Sequence, residues 1–179
     1  MKPVVQAALG LTLVFTAPAF AAAPAPAAPT AAPSPAHVKA AQDLLAAMQA
    51  EKLMRGVAAR SRYQSEAQRQ AVSARLEKTP PTEIYRRLAA PVAQLVSVDT
   101  ATEMTRFYTT PYGKQVIHKK YNSGTEIMMP GMKPVVPPEE KKERKRAAYV
   151  KASKELADAE LAIEREAFKL LQEINKEKR

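Results

Sequence analysis

The chain has 179 residues, a formal charge of +10 and no cysteine. Without thiols it has neither disulfide staples nor thiolate metal sites, so the folded part must hold by packing alone. The length suits one domain with a modest core. The positive charge implies attraction to anionic surfaces in general and does not identify nucleic acid as a partner.

Met1-Lys2 supplies a short positive start, followed by an uncharged apolar run and the small residues of Ala19-Phe20-Ala21. Residues 1–21 are therefore expected to be a secretory signal cut after Ala21, with Ala23 as the second choice. The expected location is exported and periplasmic. The apolar run is short and broken by Gly10 and Pro18, which suits a bilayer span poorly. An uncleaved anchor is the rival reading, and no cysteine is present to carry a lipid in its support. Residues 22–36 contain only Ala, Pro, Thr and Ser. They have nothing to bury and read as a semi-rigid spacer, with a ligand for a proline-recognition domain as the sharper alternative.

A helical domain is expected over residues 37–133. Val38, Ala41, Leu45 and Met48 fall at steps of three and four, with Ser34 as a cap and Pro35 in the first turn. Leu53, Met54, Val57, Val72 and Leu76 predict one further helix with a polar, partly exposed middle. Thr79-Pro80-Pro81 breaks the chain. Ile84, Leu88, Val92, Leu95 and Val96 form the next stripe, which Pro91 should kink or interrupt. Thr100 and Glu103 then have the spacing of a capping box.

Ala101, Met104, Phe107 and Tyr108 share one face of the helix that follows. Thr110 can cap a new helix with Pro111 at its first position, and Val116, Ile117 and Tyr121 continue an inward face. Gly113, lacking a side chain, lets another backbone approach. The stretch reads as a tight helix–helix corner with aromatics packed beneath it.

These residues, "EMTRFYTTPYGKQV", resemble the Phe-Tyr-x-Ser-Pro-x-Gly signature of the bacterial exported family catalogued as domain of unknown function 2059. Phe107, Tyr108, Pro111 and Gly113 match, and Thr110 stands where that family usually has Ser. The upstream helix containing Pro91 also fits, so the resemblance covers residues 83–121. It implies a small periplasmic helical domain and no known activity. No catalytic residue is carried over, and the four matching residues are expected to be structural.

Asn122–Gly124 should end a helix. A Pro-broken apolar connector follows, and residues 134–179 complete it and form a long last helix. Glu139 to Arg179 contains no Pro or Gly and is expected to be one helix of about 60 Å, longer than the roughly 35 Å width of such a domain. Tyr149, Leu156, Ile163 and Leu170 recur every seven residues, with Ile174 four further on. Ser153, Glu160 and Ala167 between them weaken a coiled-coil reading. The expectation is docking of residues 149–174 within one chain, with "EEKKERKR" projecting free. The fold class is all-α, a compact antiparallel helical domain with a long C-terminal helix.

Little chemistry is in view. His118, without a nearby carboxylate pair, is a poor metal site and reads as a partly exposed helical histidine. Asp99 and Glu103 are better explained by helix-start electrostatics than by paired-carboxylate catalysis. Met128, Met129 and Met132 have soft thioethers that could bind copper(I), but apolar packing or a flexible contact surface is the stronger reading. "KKERKR" is a solvated helix face, with contact to phosphate-rich envelope lipid as the sharper alternative. No cofactor, metal or catalytic residue is expected, nor is nucleic acid as a partner, and no segment after the signal reads as a transmembrane helix.

The expected function is a non-catalytic periplasmic interaction module for another envelope protein, using the long helix and the Met-rich connector. The alternative is a basic envelope-surface protein that binds anionic lipid or polysaccharide. The signal reading predicts that the protein recovered from the cell envelope starts at Ala22. Intact-mass measurement checks this, and an envelope form still beginning at Met1 would overturn it.

Overall fold

The computed structural model describes residues 32–122 and 136–177. Among the described residues the chain forms eight helices and no strand. They are α1 (Pro35–Ala47), α2 (Ala50–Arg60), α3 (Glu66–Lys78), α4 (Pro81–Ala93), α5 (Val98–Thr109), α6 (Pro111–Asn122), α7 (Pro138–Glu143) and α8 (Ala147–Lys176). The protein is all-α, and its long last helix packs against the others. No helix among the described residues is long and apolar enough to cross a membrane.

The helix ends follow local chemistry. Ser34 caps α1 by accepting from the His37 amide at 3.2 Å, with Pro35 at the first helical position, where no amide hydrogen is needed. α1 therefore begins two residues before the expected start of the domain. His37 Nε2 lies 2.8 Å from the Val96 carbonyl oxygen, within hydrogen-bond reach, which links the start of α1 to the loop after α4. Gln49, in the left-handed region at φ 56°, turns the chain from α1 into α2.

The single helix expected across residues 51–78 is two. The Ser61 hydroxyl donates to Val57 O and the Tyr63 hydroxyl to Ala58 O, both at 2.8 Å, which closes α2. Ser65 then accepts from the Gln68 amide, and Gln68 Oε1 accepts from the Gln64 amide. These side-chain bonds satisfy backbone groups that a helix end leaves open, so the break is locally stabilised. α4 runs through Pro91 and ends at Ala93, within its next turn.

The capping box expected at Thr100 and Glu103 is not the start of α5. Ser97 caps the helix by accepting from the Thr100 amide, and Thr100 is buried in the first turn. A second group completes this end from far along the chain. The Glu155 carboxylate of α8 accepts from the Ser97 amide at 2.5 Å, the Ser97 hydroxyl at 3.1 Å and the Thr100 hydroxyl at 2.8 Å. A carboxylate here also meets the positive end of the helix dipole.

The core is assembled from α1, α4 and α5, and α8 lies along α2, α3, α4 and α5. Leu44, Leu45, Met54, Ile84, Leu88, Val92 and Ile163 are fully buried. Full burial of such a side chain contributes about 1.5–3 kcal/mol. The buried residues of α8 are Ala152, Leu156, Ala159, Ile163, Ala167, Leu170, Leu171 and Ile174. Docking within one chain is thus as expected, and Leu156, Ile163, Leu170 and Ile174 of the expected stripe are all buried, with Tyr149 packed partly buried against the core. Ala152, Ile163 and Ile174 are spaced by eleven, as are Leu156 and Ala167, and Ala159 and Leu170. Eleven residues over three turns is close to the pitch of a straight helix, which suits a single helix lying on a domain better than a supercoil does.

The long helix expected from Glu139 breaks at Arg144–Arg146, which separates α7 from α8. The "EEKKERKR" stretch does not project free. Glu140, Glu143, Arg144 and Arg146 are drawn into ion pairs with α5 and with one another, described below.

The Glu155 contact sets a pH dependence. Burial works to raise the Glu155 carboxyl, but the Ser97 amide and the Thr100 and Ser97 hydroxyls outweigh it and hold the group below its ordinary range. A depressed folded pKa means the stabilisation is complete above the unfolded carboxylate value of about 4.3 and is lost as pH falls through the lower folded value. Glu155→Gln should cost about 1–3 kcal/mol at neutral pH and flatten the acid limb of the stability curve. Urea unfolding at a series of pH values measures both, and a variant matching the parent throughout would remove Glu155 from this role.

Candidate functional site

The α5–α6 corner is built around Gly113. The Thr110 hydroxyl donates to Phe107 O at 2.7 Å and accepts from the Gly113 amide at 2.9 Å, so one side chain serves both helix ends. Pro111 occupies the first position of α6. A Cβ on Gly113 would lie 2.0 Å from the Phe107 carbonyl oxygen and 2.7 Å from Tyr108 Cα. Both contacts are with backbone, which cannot swing aside. Phe107 is buried beneath the corner, its ring 4.8 Å from Tyr149 of α8, 5.3 Å from Tyr108 and 6.1 Å edge-on from Tyr112. Phe107, Tyr108, Pro111 and Gly113 therefore meet in one place, with Tyr112 and Tyr149 beside them.

A cleft of about 160 Å³ opens next to this corner. Met104 and Phe107 of α5, Val116 and Tyr121 of α6, and Leu156 and Ile163 of α8 are among its walls. Lys120 of α6 and Glu160 of α8, both about half exposed, form an ion pair of 2.6 Å across it. The Tyr121 hydroxyl is buried without a hydrogen-bond partner among the described residues. Burial pushes its pKa up to about 12, with the Glu51 and Glu160 charges acting in the same direction.

α7 is held against the corner by polar contacts. Glu103 accepts from Arg106 at 2.8 Å and Arg146 at 2.6 Å; Glu143 accepts from Arg106 at 2.6 Å and Arg146 at 2.9 Å. Arg106, foremost, and then Arg146 hold the Glu103 and Glu143 carboxyls below their ordinary range against an opposing effect of burial. The Tyr112 hydroxyl donates to Glu140 at 2.9 Å, and burial together with that carboxylate raises its pKa to about 12. Glu140 also pairs with Arg144. The polar run is thus partly consumed by its own folding.

The outer face of α8 is different in kind. Leu161 is 62% exposed and Phe168 42% exposed, seven residues apart on the same helix. With Val57, Arg60 and Arg165 they line a groove of about 480 Å³ between α2 and α8. Phe168 also borders a second, smaller hollow with Tyr63, Val72 and Leu171. Arg60 pairs with Glu164 across the groove at 3.1 Å.

His118 is exposed on α6. Among the described residues no group of three or more His, Asp or Glu side chains is arranged to hold a metal ion. Met128, Met129 and Met132, and the expected helix stop through Gly124, lie outside the described residues in whole or in part. Sequence reasoning brought the corner together but missed Glu155 and the Glu103–Arg106–Glu143–Arg146 cluster, whose partners are far apart in the chain. It also passed over Leu161 and Phe168, which the sequence does mark as apolar residues off the buried stripe. Comparison with protein-family models, curated proteins and solved structures gives no match to this chain.

Two glycines give opposite expectations. Gly56 in α2 has open space, a Cβ there meeting only the Arg60 side-chain tip at 3.4 Å. Gly56→Ala should stabilise by about 0.5–1 kcal/mol through helix propensity. Gly113→Ala should destabilise by about 1–3 kcal/mol through overpacking. Thermal unfolding of the two variants compares them directly, and a neutral Gly113→Ala would show that the corner can relax.

Proposed function

We propose that this protein is a non-catalytic periplasmic interaction module whose contact surface is the outer face of α8, with another envelope protein as its partner. The observation that carries the reading is the exposure of Leu161 and Phe168 beside two adjoining hollows. A large aromatic and a large aliphatic side chain, flanked by arginines, form the kind of patch on which an apolar helix or strand gains most of its binding energy. Export through the N-terminal signal, and membership of the family catalogued as domain of unknown function 2059 on the strength of the α5–α6 corner, belong to the same proposal. Capture of anionic lipid or polysaccharide has less support, because Arg144 and Arg146 of the basic run are already paired with Glu140, Glu103 and Glu143.

The test is site-specific photocrosslinking in living cells. A photoreactive residue at Leu161 or Phe168 should trap one discrete envelope protein. The same residue at Arg86, on the exposed face of α4, should not, and Leu161→Asp should abolish the adduct formed at Phe168. Equal labelling at Arg86, or no adduct at either α8 position, would overturn this surface.

A further inference from the structure

The outer face of α8 has a charge imbalance that specifies the chemistry of its partner. We propose, resting on that face being the contact surface, that it takes an acidic amphipathic segment of another protein, one that presents apolar side chains flanked by Asp or Glu.

The imbalance is local. Arg60, Arg165 and Lys169 line the groove between α2 and α8, together with Glu164. Arg62 and Lys176 line the adjoining hollow, which has no acidic residue among its described walls. Glu164 is taken by Arg60, and Lys169 is matched by Glu166 at 2.7 Å. Arg62, Arg165 and Lys176 are exposed and have no ion-pair partner among the described residues. Other acids of α8 are already matched: Asp158 by Lys154, Glu160 by Lys120, and Glu173 and Glu177 by Arg87. The charge left over on this face is therefore positive. Unmatched guanidinium groups beside the apolar anchors Leu161 and Phe168 suit carboxylates, which they hold in two-point contact.

The shape selects a polypeptide over a lipid surface. Phe168 borders both the groove of about 480 Å³ and the hollow of about 180 Å³. Side chains that project from a helix or strand can enter such recesses, whereas the flat face of a bilayer spans them. A second copy of this chain docking by the same face would set the unmatched cations against one another.

The test is the photocrosslink at Leu161 in living cells, with the attached peptide sequenced by mass spectrometry. That peptide should carry several Asp or Glu residues close to its apolar ones. A synthetic copy of it is then the probe, titrated against the purified mature protein by fluorescence anisotropy. Its affinity should fall as salt rises, and the same peptide with Gln in place of its acidic residues should bind more weakly. Arg62→Glu/Arg165→Glu should weaken the acidic peptide about tenfold, since each reversal turns an attraction into a repulsion. Both side chains are exposed and unpaired, so this variant should unfold at the parent temperature, and Arg86→Glu on α4 should leave the affinity unchanged. An adduct whose peptide is neutral or basic, or binding indifferent to the double reversal, would overturn the acidic partner and leave the contact surface standing. Absence of any adduct would overturn both. A crosslink to lipid or to a second copy of this chain would overturn the partner named here.

Discussion

The fold depends on the buried stripe of α8. Alanines at 152, 159 and 167 alternate along it with Leu156, Ile163 and Leu170. The small residues let the helix sit close to its neighbours, and the large ones fill the spaces between, an interdigitation that native packing density requires. Charged pairs decorate this seat: Arg87 with Glu173 and Glu177, Arg60 with Glu164, and Lys120 with Glu160. Exposed pairs of this kind contribute about 0–1 kcal/mol each. A single well-buried leucine outweighs most of them, so the pairs fix the azimuth of the helix while the stripe supplies the attraction.

The α5–α6 corner solves a different problem. Two helices meet with almost no loop, so both sets of open backbone groups must be satisfied within a few residues. Thr110 does this by donating backwards and accepting forwards. The cost is steric, and Gly113 removes it by having no Cβ. Tyr149 reaches the same place from α8, so corner and last helix share one aromatic cluster. α7 is then set by charge, through two glutamates and two arginines that alternate around a ring and leave each carboxylate with two donors. Such a network contributes positioning more than net stability, since desolvation offsets much of the attraction.

What could be read from the sequence divides along this line. The corner was legible because its parts are contiguous: Thr110, Pro111 and Gly113 each have a local steric or hydrogen-bonding reason to be there. The Ser34–Pro35 start of α1 and the break before Pro81 were legible for the same reason. The all-α class and the docking of α8 followed from periodicity. The cap of α5 was misplaced by three residues because Ser97 and Thr100 are both competent, and the choice rests with Glu155, which arrives from 58 residues away. The interruption at Arg144–Arg146 has no Pro or Gly to announce it. It exists because Glu143 and Arg146 are satisfied by α5, a tertiary override of local helix propensity. The docking side of α8 was legible because Tyr149, Leu156, Ile163 and Leu170 are conspicuous by size and all four face the core. The alanines that complete an eleven-residue pattern are too small to stand out.

The reach of Glu155 to Ser97 bears on the order of folding. The carboxylate that completes the start of α5, the buried Ile163 and the Tyr149 ring against Phe107 all come from α8. A growing polypeptide cannot finish this core until α8 is available, because loop closure over such separations is slow and unrewarded until then. For a protein exported as proposed, late closure is an advantage. A chain that stays open until α8 has emerged can be threaded through a translocation channel without first having to be unfolded.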